Sequence, residues 1–112
     1  MKRTIYSFFK EILDKCPERK AIIEEDRTLT FSQLDDMVNA IAAKLYDLQP
    51  KAVGIVIHHG AEQIAAMLAV LKSGTFYVPA EPTLPHERID YMMPTTGVDF
   101  IMNDNYCKRR LI

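Results

Sequence analysis

The sequence predicts an α/β fold, a mainly parallel sheet with flanking helices, and three observations carry that reading. From Ala52 to Met102, strand-like and helix-like segments alternate, the pattern of parallel strands joined by helical crossovers. Within that stretch, Ala52-Val53-Gly54-Ile55-Val56-Ile57 is apolar at every position, as a strand covered on both faces must be. Ahead of it, Leu34, Val38, Ile41, Leu45 and Leu48 recur at spacings of 4, 3, 4 and 3, one continuous face of a helix. Crossovers between parallel strands are right-handed in about 98% of cases, which fixes the hand of the winding.

The elements follow in order. Ile5, Phe8, Phe9, Ile12, Leu13 and Cys16 mark an amphipathic first helix, stopped by Pro17 because the residue before a proline avoids the α region. Ala21–Ile23 and Thr28–Phe31, with the acidic Glu24–Asp26 between them, predict two short strands joined by a turn. Thr30 and Gln33 have the spacing of a capping box, in which the hydroxyl takes the N3 amide and the Gln side chain returns to the cap amide. Leu29 and Leu34 fall at the positions of a hydrophobic staple, so the second helix is expected from Phe31 to Leu48. After the Ala52–Ile57 strand, Glu62–Ser73 predicts a helix ended by Lys72 in its last turn and Gly74 at C′. Its main stripe is read as Ile64, Met67, Leu68 and Leu71, with Ala65, Ala66 and Ala69 permitting close approach. Thr75–Val78 is a short strand closed by Pro79. Pro85 is expected at N1 of a last helix that carries Ile89, Met92 and Met93 and ends near Pro94. Val98–Met102 is the final strand, before polar Asn103-Asp104-Asn105.

Composition narrows the function. The chain has 112 residues with 14 Lys+Arg against 15 Asp+Glu, a formal charge of -1, so it lacks the basic excess of a generic polyanion binder. With no repeat or Gly/Ser linker, residues 1–112 are read as a single unit. The longest uncharged run, Ala52 to Ala61, is ten residues, short of the roughly 20 that span a bilayer. Met1-Lys2-Arg3 is followed by an apolar stretch broken at Lys10 and Glu11, too early for a secretory signal. Cys16 and Cys107 form no CxxC pair and read as free thiols. A cytoplasmic protein is expected.

In open α/β sheets, ligands sit beyond the carboxyl ends of the strands, a position held here by His58-His59-Gly60, Pro79–Pro85 and Asn103–Asn105. The adjacent pair His58-His59 would point to opposite faces of a strand and has no third ligand at metal-site spacing, so a structural or solvated role outweighs a metal site. Gly54, Gly60, Gly74 and Gly97 build neither GxGxxG nor GK[ST], which leaves no glycine-rich phosphate cradle. Ser7, Ser32 and Ser73 all fall at helix positions outside any GxSxG elbow, and the cysteines have no evident base. Glu81, Glu87 and Asp90 suggest a carboxylate pair, but Glu87 and Asp90 more simply complement the positive end of the last helix. Lys108-Arg109-Arg110 reads as a solvated tail, and Met67, Phe76 and Tyr77 read as core rather than a cofactor box. No catalytic, cofactor-binding or metal-ligating residue is assigned.

Two stretches resemble a known family. Leu29-Thr30-Phe31-Ser32-Gln33-Leu34, with Asn39-Ala40-Ile41-Ala42 and Leu45, resembles the first core motif of the amino-acid adenylation domains of nonribosomal peptide synthetases, within the adenylate-forming (acyl-CoA synthetase) superfamily. Leu68-Ala69-Val70-Leu71-Lys72-Ser73-Gly74-Thr75-Phe76-Tyr77-Val78-Pro79-Ala80-Glu81-Pro82, continued by Pro85-His86-Glu87-Arg88-Ile89, resembles the second. Gln33, Ser73 and Glu81 depart from the usual Glu, Ala and Asp of the family. Gln33 keeps the capping box, whereas Glu81 moves its charge outward by one methylene.

The resemblance implies the N-terminal subdomain of an AMP-binding adenylation domain, truncated before the phosphate loop, the adenine and ribose contacts and the catalytic lysine. The complete enzyme would use ATP and Mg²⁺ to turn an amino acid or other carboxylate into an adenylate for transfer to a carrier thiol. The chain itself is expected to be inactive. Its expected partners are the remainder of the adenylation domain, carrier or condensation domains, or an MbtH-like protein around Ser73–Arg88, with no nucleic acid or membrane. An alternative of another class is a stand-alone interaction module that keeps the scaffold without catalysis. A flavodoxin-like nucleotide binder is a third, weakened by the missing phosphate loop. Truncation would leave strand edges and an apolar face uncovered, so marginal stability or self-association is expected, whereas a tight monomer melting above ~70 °C would contradict it.

Overall fold

A computed structural model describes residues 5–104. The expectations for Asn105, Cys107 and Lys108-Arg109-Arg110 lie outside the described residues.

The order is α1 (Ile5–Lys15), β1 (Lys20–Ile23), β2 (Thr28–Thr30), α2 (Phe31–Leu48), β3 (Ala52–Val56), α3 (Ala61–Lys72), β4 (Phe76–Pro79), α4 (His86–Thr95) and β5 (Phe100–Asn103). β1 and β2 form an antiparallel hairpin, and β4-β3-β5 form a parallel sheet with β3 at its centre. The α/β class and the parallel sheet read from the sequence are therefore present.

Helix α2 begins where its cap was expected. Thr30 Oγ1 accepts from the Gln33 amide at 3.1 Å, and the Thr30 amide donates to Gln33 Oε1 at 2.9 Å. Two further amides at this end donate backward, Phe31 to the Arg19 carbonyl and Ser32 to the Pro17 carbonyl. The first turn thus meets its orphan donors with a side chain and with the loop after α1. Leu34, Val38, Ile41 and Leu45 are buried, while Leu48, at the end of the same stripe, is exposed.

β3 has both faces covered, and its side chains alternate between two cores. Val53, Ile55 and Ile57 pack with α1, α2 and α3 in a cluster of fifteen buried residues. Val56 meets Ile89, Met93 and Ala80 in a second cluster of three on the α4 side. The crossovers leave β3 and β4 toward opposite faces, as right-handed connections to a central strand require. Gly54 lies under α4, and a Cβ there would come within 2.7 Å of Met93 Sδ and 3.2 Å of Ile101 and Val98. Its missing side chain lets α4 approach the sheet.

The amino ends of the strands are pinned by polar contacts. Asp99 accepts from the Lys51 amide at 3.0 Å, and Thr75 Oγ1 donates to the Lys51 carbonyl at 2.9 Å. The Lys51 amide, opposed by desolvation and aided by the Ala52 amide, holds the Asp99 carboxyl below the usual carboxylate range.

Three local expectations are corrected. On α3 the buried face is Ala61, Ala65, Ala66, Leu68, Ala69 and Val70, and Ile64 is 39% exposed. Lodged between the sheet and α2, α3 turns its small side chains toward both neighbours, because alanines allow the closest approach. Phe76, read as core, is 57% exposed, since alternation from the inward Tyr77 puts it on the α4 face beyond the helix. Tyr77 and Met67 do pack against the larger core. Pro85 is the N-cap of α4 rather than N1, while the helix ends at Thr95, near Pro94 as expected. A proline in a last turn forfeits one amide donor, and the following Thr96 amide still reaches the Met92 and Met93 carbonyls.

Gly54→Ala should destabilise the fold by about 1–3 kcal/mol through overpacking against Met93, read as a lower urea midpoint with an unchanged m-value. Thr30→Ala should cost about 1 kcal/mol, and Thr30→Ser should restore most of it.

Candidate functional site

β3 lies between β4 and β5, and the connections after β3 and β4 run to opposite faces. Such a reversal opens a crevice at the carboxyl end of the central strand, the usual ligand position in open α/β sheets. The described residues of the three segments singled out in the sequence meet there. The His58 amide donates to Asp104 Oδ1 at 3.2 Å, and His58 Nδ1 lies 2.8 Å from Asp104 Oδ2, joining the ends of β3 and β5. A carboxylate only accepts, so Nδ1 carries the proton in this pair and Nε2 is left toward solvent. His59 Nε2 lies 3.2 Å from Glu81 Oε1, and its Nδ1 lies 3.1 Å from Gln63 Oε1. Glu81 therefore serves the β3–α3 turn, and Glu87 and Asp90 stand exposed on α4, so the three carboxylates make no catalytic pair.

The rest of the crevice comes from a place the sequence did not single out for chemistry, the β1–β2 turn. Arg27 Nε donates to Glu24 Oε1 at 2.5 Å, and Arg27 Nη2 donates to Glu62 Oε1 at 2.6 Å and also to Glu62 Oε2. Glu24 Oε2 in turn accepts from the Ala61 amide at 3.3 Å, at the first turn of α3. The turn is thereby clamped onto α3. Gly60 precedes the helix with φ +155°, and a Cβ there would lie 2.8 Å from Glu24 Oε2. Glycine at this position makes room for the incoming carboxylate. Only the acidic run Glu24–Asp26 hinted at this role, and nothing in local sequence says that a hairpin turn reaches a helix 35 residues further on.

These residues enclose a cavity of about 330 Å³ lined by Glu24, Asp26, Arg27, His58, Glu62 and Asp104, among others. The Glu62 hydrogen bonds, followed by those of Glu24, raise the Arg27 guanidinium well above its ordinary pKa. Partial burial pushes the Glu62 carboxyl up, but the Arg27 hydrogen bond and a backbone amide outweigh it, and the net shift is downward. In doubly wound folds a ligand phosphate lies on the first amides of the helix after the central strand. Here Glu24 already holds that place, so these residues do not fit a nucleotide phosphate. Among the described residues, no group of three or more His, Cys, Asp or Glu side chains could hold a metal ion.

Ser73, Ser32 and Cys16 are placed as follows. Ser73 Oγ donates to the Ala69 carbonyl at 2.8 Å, Ser32 lies in the first turn of α2, and Cys16 is an exposed free thiol at the end of α1. The two motifs quoted from the sequence form scaffold, the first at the β2–α2 cap and the second along the end of α3, β4 and the loop to α4. No helix among the described residues is long and apolar enough to cross a membrane.

Comparison with known proteins bears on the fold and the family. The family model described as AMP-binding enzyme matches residues 9–111. Bacitracin synthase 3 of Bacillus licheniformis is 34% identical over 105 residues, covering 91% of this chain and 2% of that protein. The N-terminal subdomain of Klebsiella oxytoca NpsA, solved in complex with anthranilyl-AMSN, superposes with a TM-score of 0.84 at 27% identity over 94% of this chain and 28% of that one. An artificially fused adenylation–PCP di-domain, NpsA-ThdA of the same organism, shares the fold with a TM-score of 0.81 at 23% identity, over 98% of this chain and 24% of that one. The chain thus spans a small part of the relatives it matches.

Arg27→Ala, which strands two carboxylates, should cost about 1–2 kcal/mol after allowance for solvent screening. The depressed Glu62 carboxyl contributes stability above its unfolded pKa, and this is lost as pH falls through the lower folded value. Glu62→Gln should therefore flatten the acid limb of the stability profile, and an unchanged acid limb would show the clamp to be energetically silent.

Proposed function

The chain belongs to the AMP-binding enzyme family, and from that premise we propose that it is the N-terminal structural piece of an adenylation domain of the nonribosomal peptide synthetase type. The parent enzyme joins an amino acid or related carboxylate to ATP, with Mg²⁺, releases pyrophosphate, and passes the acyl adenylate to a carrier thiol. Residues 1–112 act as one unit of that enzyme, in the cytoplasm, and contribute no catalytic, nucleotide-binding or metal-binding side chain. The single observation that supports this most strongly is the pairing of near-complete coverage of this chain with only 28% coverage of the NpsA subdomain. A second support is local: both family motifs here form a helix cap, a strand and a turn, and the α3 amino end is taken by Glu24.

The partners we propose are the rest of the adenylation domain, a carrier or condensation domain, and an MbtH-like protein docking near Ser73–Arg88. The uncovered apolar surface also supports self-association of the isolated chain. Exposed Phe76, inside the Ser73–Arg88 stretch, favours a second reading as a non-catalytic interaction module built on the same scaffold. A reading frame that continues past Ile112 into a glycine-rich loop would favour the first reading, and a stop codon there the second.

The purified chain should show no amino-acid-dependent ATP–pyrophosphate exchange and no heat of binding when titrated with ATP and Mg²⁺. Exchange above the enzyme-free blank would overturn the structural role.

A further inference from the structure

The hairpin is a sheet of its own. β1 pairs with β2 alone, so its other edge carries no strand among the described residues. The Glu24 amide donates to the Arg27 carbonyl and therefore faces β2. Backbone groups alternate sides along a strand, so the amide and carbonyl of Ile23 face the open edge. The Ile23 side chain is 74% exposed at the same place. An open edge of this kind is a template for another strand.

The charges along this edge say which strand fits it. Arg19 and Lys20 stand at its start, Glu24 and Glu25 at its end, around Ala21-Ile22-Ile23. Arg19, Lys20 and Glu25 are exposed and form no ion pair among the described residues, whereas Glu24 is engaged by Arg27. Reversed end for end, the pattern is its own complement. We propose that the free edge of β1 is a dimer contact, at which β1 of a second copy pairs antiparallel about Ile22. In that register Ile22 faces itself, Ala21 faces Ile23, Lys20 faces Glu24 and Arg19 faces Glu25 of the second copy, each twice by symmetry. Moving the centre to Ala21 sets Glu18 against Glu24, and moving it to Ile23 sets Arg19 against Arg27. Parallel pairing in register sets like charges together. Glu18 and Asp26, the next positions outward, lie in the turns beyond the strand. The register shift between Lys20 and Ile22 leaves only a short regular edge, so the dimer is weak and smaller than a standard interface. The exposed ion pairs then fix register and partner more than they add affinity. The proposal concerns this hairpin alone and goes beyond the piece reading without depending on it.

The test is sedimentation equilibrium of the 112-residue chain and two charge-reversed variants. The unmodified chain should show a monomer–dimer equilibrium whose dissociation constant rises at least about threefold between about 0.05 and 0.5 M NaCl. Arg19→Glu and Glu25→Arg should each raise that constant by about tenfold or more. An equimolar mixture of the two variants should associate to within about threefold of the unmodified chain, because opposite charges then face each other again. Recovery on mixing also shows that both variants fold. The Ile23 amide should exchange more slowly as the chain is concentrated. A chain that stays monomeric up to about 1 mM overturns the proposal. So does a dimer that neither variant weakens, which assigns the contact to an apolar surface such as that of Ile5 and Ile12 or that of Phe76 and Ile101. Variants that fail alone and also fail when mixed overturn the antiparallel register. None of these results touches the piece reading, which pyrophosphate exchange tests separately.

Discussion

Everything in this fold depends on one strand having no exposed face. β3 is buried along Ala52–Ile55, and its backbone is paired on both edges, to β4 and to β5. A strand so enclosed requires cover above and below, and each fully buried Val or Ile side chain is worth about 1.5–3 kcal/mol only if that cover is present. The first side is supplied by α3, backed by α2 and α1. The second is supplied by α4, which reaches the sheet only because Gly54 leaves room for Met93. The hairpin, the caps and the pinned strand ends all serve to hold these layers against β3.

The same constraint shapes the crevice at the carboxyl end of the sheet. Opposed crossovers create an opening there whatever the sequence, and in many α/β proteins the opening receives a ligand. In this chain Glu24, Arg27 and Glu62 line the opening from the hairpin side and bond to one another, while His58 and Asp104 tie the two strand ends together. The charges satisfy one another across the hairpin, α3 and the strand ends.

Much of this was legible in sequence. The bounds of α2 were readable to the residue because capping chemistry is local, with Thr30 and Gln33 three positions apart. β3 was readable because burial on two faces removes polar residues altogether. The α3 face was not, since periodicity marks the large side chains, whereas the tight α2–α3 packing selected the alanines and left Ile64 outside. Phe76 was misplaced because a strand's inward and outward residues both look apolar when one face awaits more cover. The Arg27 clamp was illegible for a different reason. Long-range ion pairs leave no spacing signature, and only the folded hairpin brings Arg27 to Glu62.

The central claim, that β3 is held by one finished layer and one partial one, is tested most directly by native-state amide hydrogen exchange on the intact chain. Amides of Val53, Gly54 and Ile55 should exchange only through global unfolding, while those of Ile89 and Met93 should exchange through a smaller opening, at least about tenfold faster. Equal protection of α4 and β3 would contradict the account, because it would mean that the α4 layer is already complete.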